Sequence, residues 1–185
     1  DQFRDETGDR PNVDIDYPDF RIHLHIYENH CTLSFDSSGD SLHKRGYRDY
    51  TNQAPINEAL AAALVIQSGW DKKLPLADFM CGSGTILVEA AMYALNIAPN
   101  KFRSKFGFEG WKDFDASLWK KVKNEAIASE LKPDGLTLYG GDISGVVLDK
   151  ARQNIEEAGL TDVIRLKKSS FEKFPVPAPN GVLIC

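Results

Sequence analysis

Asp78-Phe79-Met80-Cys81-Gly82-Ser83-Gly84-Thr85 is the stretch on which the fold turns. It closes a short, mostly apolar run, Leu74 to Phe79, of the kind that forms a parallel strand buried on both faces. It precedes Ile86 to Leu95, an apolar run of helical length with one acid, Glu89, inside it. Strand, small-residue loop and helix in that order place a ligand at a helix start, where unpaired backbone N–H groups favour an anion. Gly82 and Gly84 let the chain turn tightly and let a ligand approach without interference from Cβ. The third glycine of G-x-G-x-x-G is missing, because position 87 is Leu, so a dinucleotide is a poor fit. The charge of Asp78 repels a pyrophosphate and attracts an ammonium.

Working outward, the sequence alternates strands and helices. Leu136 to Tyr139 reads as a second strand, followed by Gly140-Gly141-Asp142. Ser144 to Ala158 reads as an amphipathic helix with Val147, Ala151, Ile155 and Ala158 on its apolar face, and Gly159 suits the residue after its end. Val163 to Leu166 is a third strand, and Val182 to Cys185 a fourth. This alternation implies an α/β fold, a parallel sheet with helices on its faces. In such sheets an acid ending the second strand accepts hydrogen bonds from ribose hydroxyls, which is the place of Asp142. The usual gap of about 20 residues after the glycine loop is exceeded here. An aromatic and basic insertion, residues 97–130, accounts for the excess and closes in a helix around Leu118 to Ser129. Ser169-Ser170-Phe171 follows the third strand, where an adenine ring would lie and Phe171 could stack on it. A ligand with a carboxylate, an ammonium, a ribose and an adenine is S-adenosylmethionine. The residues expected to hold it are Asp78, Met80, Cys81, Gly82, Ser83, Gly84, Thr85, Asp142, Ile143, Ser170 and Phe171.

Plainer roles compete for several of these. Asp142 also suits a cap for the helix from Ser144, and Ser170 a turn. Glu89 reads better as a satisfied buried acid than as a catalyst. Cys81 reads as a small space-filler within the loop, not a nucleophile. His23, His25, His30 and His43 fit solvent-facing positions better than a metal site.

Upstream, residues 1–19 are polar and read as loop or as a fragment. Arg21 to Tyr27 and Cys31 to Phe35 alternate apolar and polar residues around the turn Glu28-Asn29-His30, the pattern of a half-buried β-hairpin. A lone hairpin is marginal in water, so it belongs to something larger or packs on the downstream chain. Residues 36–55 read as a linker, and Asn57 to Ser68 as a helix with Ala59, Leu60, Ala63, Leu64 and Ile66 inward.

The bulk numbers agree with a packed domain. The chain has 185 residues, 42% hydrophobic and 26% charged, close to the globular average. No apolar run reaches the roughly 18 residues of a membrane span, and no signal-peptide pattern opens the chain. The first residue is not Met, and the chain reads as a piece of something longer. Three cysteines without a CxxC pair argue against a disulfide framework or a zinc site and suit a reducing cytoplasm. Net charge is −5, so no general basic surface advertises nucleic acid. Residues 101–123 nevertheless hold seven basic against three acidic residues. That island reads as a packed insertion burying Phe106, Phe108, Trp111 and Trp119, with lysines still able to touch phosphate.

The central stretch, continued through Ile86-Leu87-Val88-Glu89-Ala90-Ala91, resembles the D-P-M-C-G-S-G-T-hydrophobic-E-A-A signature of bacterial 23S rRNA guanine-N2 methyltransferases. Members of that family are often labelled N6-adenine-specific DNA methylases. Gly39 to Arg48 resembles the family's joint between an RNA-binding THUMP domain and the catalytic domain. Ala54 to Ala62 resembles the helix entering the catalytic domain, and Gly107-Phe108-Glu109-Gly110-Trp111 with Leu118-Trp119 a typical insertion. The resemblance implies a Rossmann-like S-adenosylmethionine-dependent methyltransferase fold, preceded by a β-hairpin remnant of a THUMP domain. It places residues 1–48 in the remnant and its linker and 49–185 in the first half of the catalytic domain. It implies an exocyclic base amine as methyl acceptor, guanine N2 of large-subunit rRNA, in the cytoplasm. An N6-adenine DNA or RNA methylase and a non-catalytic RNA-binding module are the competing readings. The family's N-P-P-Y tetrapeptide belongs just after the fourth strand, where this chain stops at Leu183-Ile184-Cys185. No catalytic residue is therefore assigned, and the 185-residue piece is expected to be inactive alone. The family commonly has Asp where Ser170 stands. No metal and no membrane partner are expected, and the oligomeric state is left open.

Overall fold

The computed structural model of the chain describes residues 2–10, 12–15, 18–48, 56–175 and 177–185. Ala54 and Pro55, part of the stretch resembling the entry helix, lie outside the described residues, as does the join between 48 and 49. The chain forms two compact units. One comprises Asp1–Asp40 with Lys105–Ala116, the other Ser41–Ser104 with Ser117–Cys185. They part upstream of residue 48 because Arg45 and Tyr47, read as linker, are buried in the second unit.

In the first unit a short helix α1 (Gln2–Thr7) forms where loop was expected, closed by Thr7 Oγ1 donating to the Phe3 carbonyl at 2.6 Å. The expected hairpin is present as β1 (Arg21–Tyr27) and β2 (His30–Asp36), antiparallel with Tyr27 opposite His30. The loop is two residues, and Glu28 takes φ 51°, the left-handed value that two-residue hairpin turns require. Ile22 opposes Phe35, Leu24 opposes Leu33 and Ile26 opposes Cys31, so one face is wholly apolar. That face is not half-buried as expected: Leu24 is 60% and Leu33 61% exposed. Part of the insertion completes this unit. Gly107 and Phe108 donate their backbone N–H groups to Ser38 and Ser37, both at 3.0 Å. A side chain at Gly107 would come within 2.7 Å of the Asp36 carbonyl, which is why glycine stands there. Phe106, Phe108 and Trp111 are half-buried, not fully buried, with Phe106 stacked on Phe108 at 5.4 Å.

The second unit is built on a four-stranded parallel sheet. Helix α2 (Glu58–Gln67) leads into β3 (Leu76–Asp78), the glycine loop and α3 (Thr85–Ala94). A 3-10 turn at Gly107–Gly110 lies in the part of the insertion that belongs to the first unit; α4 (Ala116–Ala128) follows and has no buried residue. Then come β4 (Leu138–Asp142), α5 (Gly145–Glu157), β5 (Ile164–Lys168), a 3-10 turn at Phe171–Lys173, and β6 (Val182–Leu183). The order across the sheet is β5-β4-β3-β6. Asn57 caps α2 by accepting from Ala59 and Leu60, as its place before the apolar run suggests. The buried apolar positions of α2 are Ala61 and Val65, whereas Leu60, Leu64 and Ile66 are exposed. An almost uniformly apolar helix gives periodicity little with which to choose a face.

Two adjacent glycines show how tightly β4 is covered. A Cβ at Gly140 would strike Leu87 and Leu166 at 2.5 and 2.6 Å. A Cβ at Gly141 would strike the Phe174 ring at 2.5 Å. Neighbouring residues of a strand face opposite sides, so α3 covers one face here and Phe174 the other. Leu76, Leu87, Leu138 and Leu148 are fully buried around this centre. Among the described residues no helix is long and apolar enough to cross a membrane.

Candidate functional site

The expected residues converge at the carboxyl ends of β3, β4 and β5. The chain runs outward from β3 to β4 and β5, then returns to the other side of β3 as β6. Ligands in open α/β sheets bind where the strand order reverses in this way, beyond the carboxyl ends. Asp78 to Thr85 stand there, with Asp142 closing β4, Ile143 just after it, and Ser170 and Phe171 after β5.

The loop is held by its own backbone and by β4. Gly82 has φ 54° and Gly84 φ 82°, both left-handed, so each glycine is required by the turn. Cys81 donates its N–H to the Gly141 carbonyl at 2.8 Å, and Gly84 to the Cys81 carbonyl at 2.8 Å. The Asp142 carboxylate accepts from Gly82 N–H at 3.2 Å and from Ser144 N–H at 2.9 Å. Both readings of Asp142 therefore hold in part. It organises the turn before α5, while Ser144 is the residue that caps the helix through Val147 N–H. It also ties the glycine loop to the end of β4. A carboxylate has about four acceptor sites, so two backbone bonds leave it room for ligand hydroxyls.

Asp78 is 2% exposed and accepts from Met80 N–H at 3.0 Å. Burial pushes its carboxyl up to about 7 against the pull of that bond, and the Asp142 charge adds to the rise. Burial, then Asp78 and Asp142, drives the Cys81 thiol far above its usual range. A thiol so protonated is no nucleophile, and its Sγ lies 3.3 Å from where a Gly140 Cβ would stand. Ser83 and Thr85 are buried, with their hydroxyls 3.5 Å apart.

The remaining residues face outward. Met80, Ile143 and Phe171 are exposed large hydrophobic side chains, and Ser170 is half-buried. Phe171 lies 6.4 Å from Phe79, whose ring stacks on Phe174 at 4.5 Å. Exposed apolar side chains beside half-buried polar loops at this end of the sheet suit a ligand with a flat ring, a sugar and a charged end.

Two features escaped the sequence reading. Asn154 of α5 is 1% exposed and donates from Nδ2 to the Ser83 carbonyl at 3.1 Å. Its signal was an amide on the apolar face of an otherwise well-patterned helix. The second is a buried network under α3. Glu89 accepts from Tyr47 Oη at 2.9 Å and pairs with Arg45 at 3.4 Å. Arg48 pairs with Glu58 at 2.9 Å. Glu89 is thus a satisfied buried acid; burial raises its pKa, opposed by Arg45 and Tyr47. Among the described residues no group of three His, Cys, Asp or Glu is placed to hold a metal.

Known proteins agree with this geometry. A family model described as an RMKL-like methyltransferase domain matches residues 45–185, and a THUMP domain model matches residues 1–36. A Synechocystis sp. protein named "putative RNA methyltransferase" is 45% identical over all of this chain, which covers 48% of that protein. The chain thus spans about half the length of this curated relative. A crystal structure described as "a putative methyltransferase complexed with SAH" superposes with TM-score 0.82 and 39% identity, over 89% of this chain and 42% of that one. A structure described as "a predicted N6-adenine-specific DNA methylase" from Listeria monocytogenes superposes with TM-score 0.83 and 38% identity, over 89% and 43%.

Proposed function

Because the chain belongs to the RMKL-like methyltransferase-domain family, with a THUMP domain before it, we propose that it holds S-adenosylmethionine for methylation of an exocyclic base amine in RNA. We infer the finer target to be guanine N2 of 23S rRNA, methylated in the cytoplasm. Its fold is the Rossmann-like methyltransferase fold. In this reading the joint between RNA-binding and catalytic parts lies between the two matched stretches, at residues 37–44.

The observation that carries the reading is the pairing of Asp142 with the glycine loop across the ends of β3 and β4. It puts an acceptor for ribose hydroxyls beside a backbone turn open to a carboxylate. Asp78 supplies a counter-charge for an ammonium. Phe171 offers a ring face to the adenine, and Ser170 an acceptor to its amine. Met80 and Ile143 would add apolar surface for the adenine. When bound, S-adenosylmethionine supplies a methyl group already activated on a sulfonium. The chain's own residues then have one task, to fix that ligand so that an amine can approach in line. Reaching a base amine in structured RNA requires the base to leave its stack. No residue here is assigned to that step.

The test uses the intact protein with S-adenosylmethionine and, in parallel, 23S rRNA and duplex DNA. Mass analysis of the nucleosides should find N2-methylguanosine in the RNA. N6-methyladenine would favour the second reading, which the name of the Listeria structure supports. Transfer to neither polymer, with no binding of S-adenosylhomocysteine, would remove the proposal.

A further inference from the structure

We propose that Asn154 is a positioning residue for the cofactor loop, holding the Ser83 carbonyl while Asp142 holds the Gly82 N–H. The inference rests on the reading of that loop as the S-adenosylmethionine site. A peptide unit joins the carbonyl of one residue to the N–H of the next. The Cys81–Gly82 unit donates through Gly82 N–H to the Asp142 carboxylate and accepts, at the Cys81 carbonyl, from Gly84 N–H. The Ser83–Gly84 unit makes that donation and accepts, at the Ser83 carbonyl, from Asn154 Nδ2 at 3.1 Å. Two peptide units of the loop thus form one relay, starting on a carboxylate before α5 and ending on an amide inside it. The Gly82–Ser83 unit is held between two fixed neighbours. Linked bonds in a low-dielectric interior polarise and stiffen one another.

The surroundings favour this role over plain packing. Asn154 is 1% exposed, Ser83 5% and Cys81 6%, so water cannot replace the amide as donor to the Ser83 carbonyl without opening the structure. Ala151, about one turn before Asn154 on α5, and Ile155, the residue after it, lie 3.4 and 3.8 Å from where a Cβ on Gly84 would stand. The helix thus presents a close apolar seat for the loop with one polar group in its middle. An apolar residue at 154 would fill the seat and leave the carbonyl unpaired. The amide instead sets the tilt of the peptide unit that begins α3.

The experiment measures S-adenosylhomocysteine binding, RNA binding and thermal unfolding of the intact protein and of Asn154→Ala, Asn154→Ser and Asn154→Asp. Asn154→Asp keeps the shape and removes the donor. Expected is a loss of S-adenosylhomocysteine affinity of order tenfold for Ala and Ser, and more for Asp, with RNA affinity unchanged. With a methyl acceptor, KM for S-adenosylmethionine should rise by the same factor while kcat holds. Asp142→Asn in the same assay tests the underlying site. If Asp142→Asn weakens binding and folded Asn154 variants bind like wild type, Asn154 has no positioning role and the inference fails alone. If the wild type does not bind S-adenosylhomocysteine, the site reading fails with it. If none of the Asn154 variants folds, the residue serves the core and the inference is overturned.

Discussion

The β1–β2 hairpin and strand β3 invert the usual link between pattern and burial. The hairpin alternates apolar and polar residues along two seven-residue strands, yet its apolar face is open. β3 is three residues, Leu-Ala-Asp, with no alternation at all, and every one of them is buried. A period of two records which side of a strand is apolar; what covers that side is decided elsewhere in the fold. Stability in this chain should therefore be concentrated around β3, and the hairpin should contribute little. The comparison can be broken at its strongest point first.

Glu89 to Ala should have the largest effect. It removes the acid that faces Arg45 and Tyr47 under α3 and leaves the Arg45 guanidinium buried, still donating to the Leu42 carbonyl but without its counter-charge. Breaking one side of a buried ion pair costs about 3–5 kcal/mol. Denaturant unfolding of the variant checks this, and a cost below about 1 kcal/mol would show that the network does not anchor the second unit. Leu87 to Ala comes next. Leu87 is fully buried against Gly140, and truncation there should cost about 2–5 kcal/mol by loss of transfer energy and by the cavity.

Asp78 gives a test through pH. Its folded carboxyl titrates near 7, well above the 3.8 of the unfolded chain. Between those values the folded state holds a proton that the unfolded state has released, so stability falls as pH rises through that window and is level above it. A bound ammonium favours the charged carboxylate and reverses the preference. Affinity for S-adenosylhomocysteine should thus weaken below pH 7, by up to about tenfold per pH unit, and Asp78→Asn should flatten the dependence. Calorimetry of the intact protein between pH 5.5 and 8.5, roughly one unit and more to either side, reads it directly. A flat profile in the wild type would place the ammonium away from Asp78.

The same contrast explains what the sequence showed and what it hid. The strand–loop–helix around Asp78 to Thr85 was legible because small residues, an acid and an apolar helix have only a few joint uses. Asp142 was legible as the acid that ends the second strand, although the strand proper extends beyond Tyr139 through Gly140 and Gly141 to Asp142 itself. Those glycines lie in the strand because Leu87, Leu166 and Phe174 leave no room for side chains. Arg45 and Tyr47 looked like linker because the partner they share, Glu89, lies more than forty residues away, and charge in a polar stretch reads as solvated. Asn154 was passed over because a helical face is recognised by its apolar residues, and the polar exception is read as noise. In each of these three misses the deciding contact was made at long range in the chain.

Near the bottom of the scale are two substitutions that should change little. Asn57 to Ala removes the cap of α2 and should cost about 1 kcal/mol, visible in the midpoint of denaturant unfolding. Leu24 to Thr should cost less still, within about 0.5 kcal/mol, because it exchanges one exposed side chain for another that suits a strand equally well. The pair Leu24 opposite Leu33 is the fair place to look, since both side chains lie at the middle of the apolar face. Cross-strand apolar pairs are worth about 0.2–1 kcal/mol, and a pair about 60% exposed on each side should sit at the low end. The measurement is hydrogen exchange of the β1 and β2 amides together with the global unfolding curve of this chain. Unchanged global stability, with faster exchange confined to the hairpin, is the expected result. A global loss of about 2 kcal/mol or more, the order seen for truncated core side chains, would mean that the apolar face is covered in solution, and the contrast with β3 would disappear.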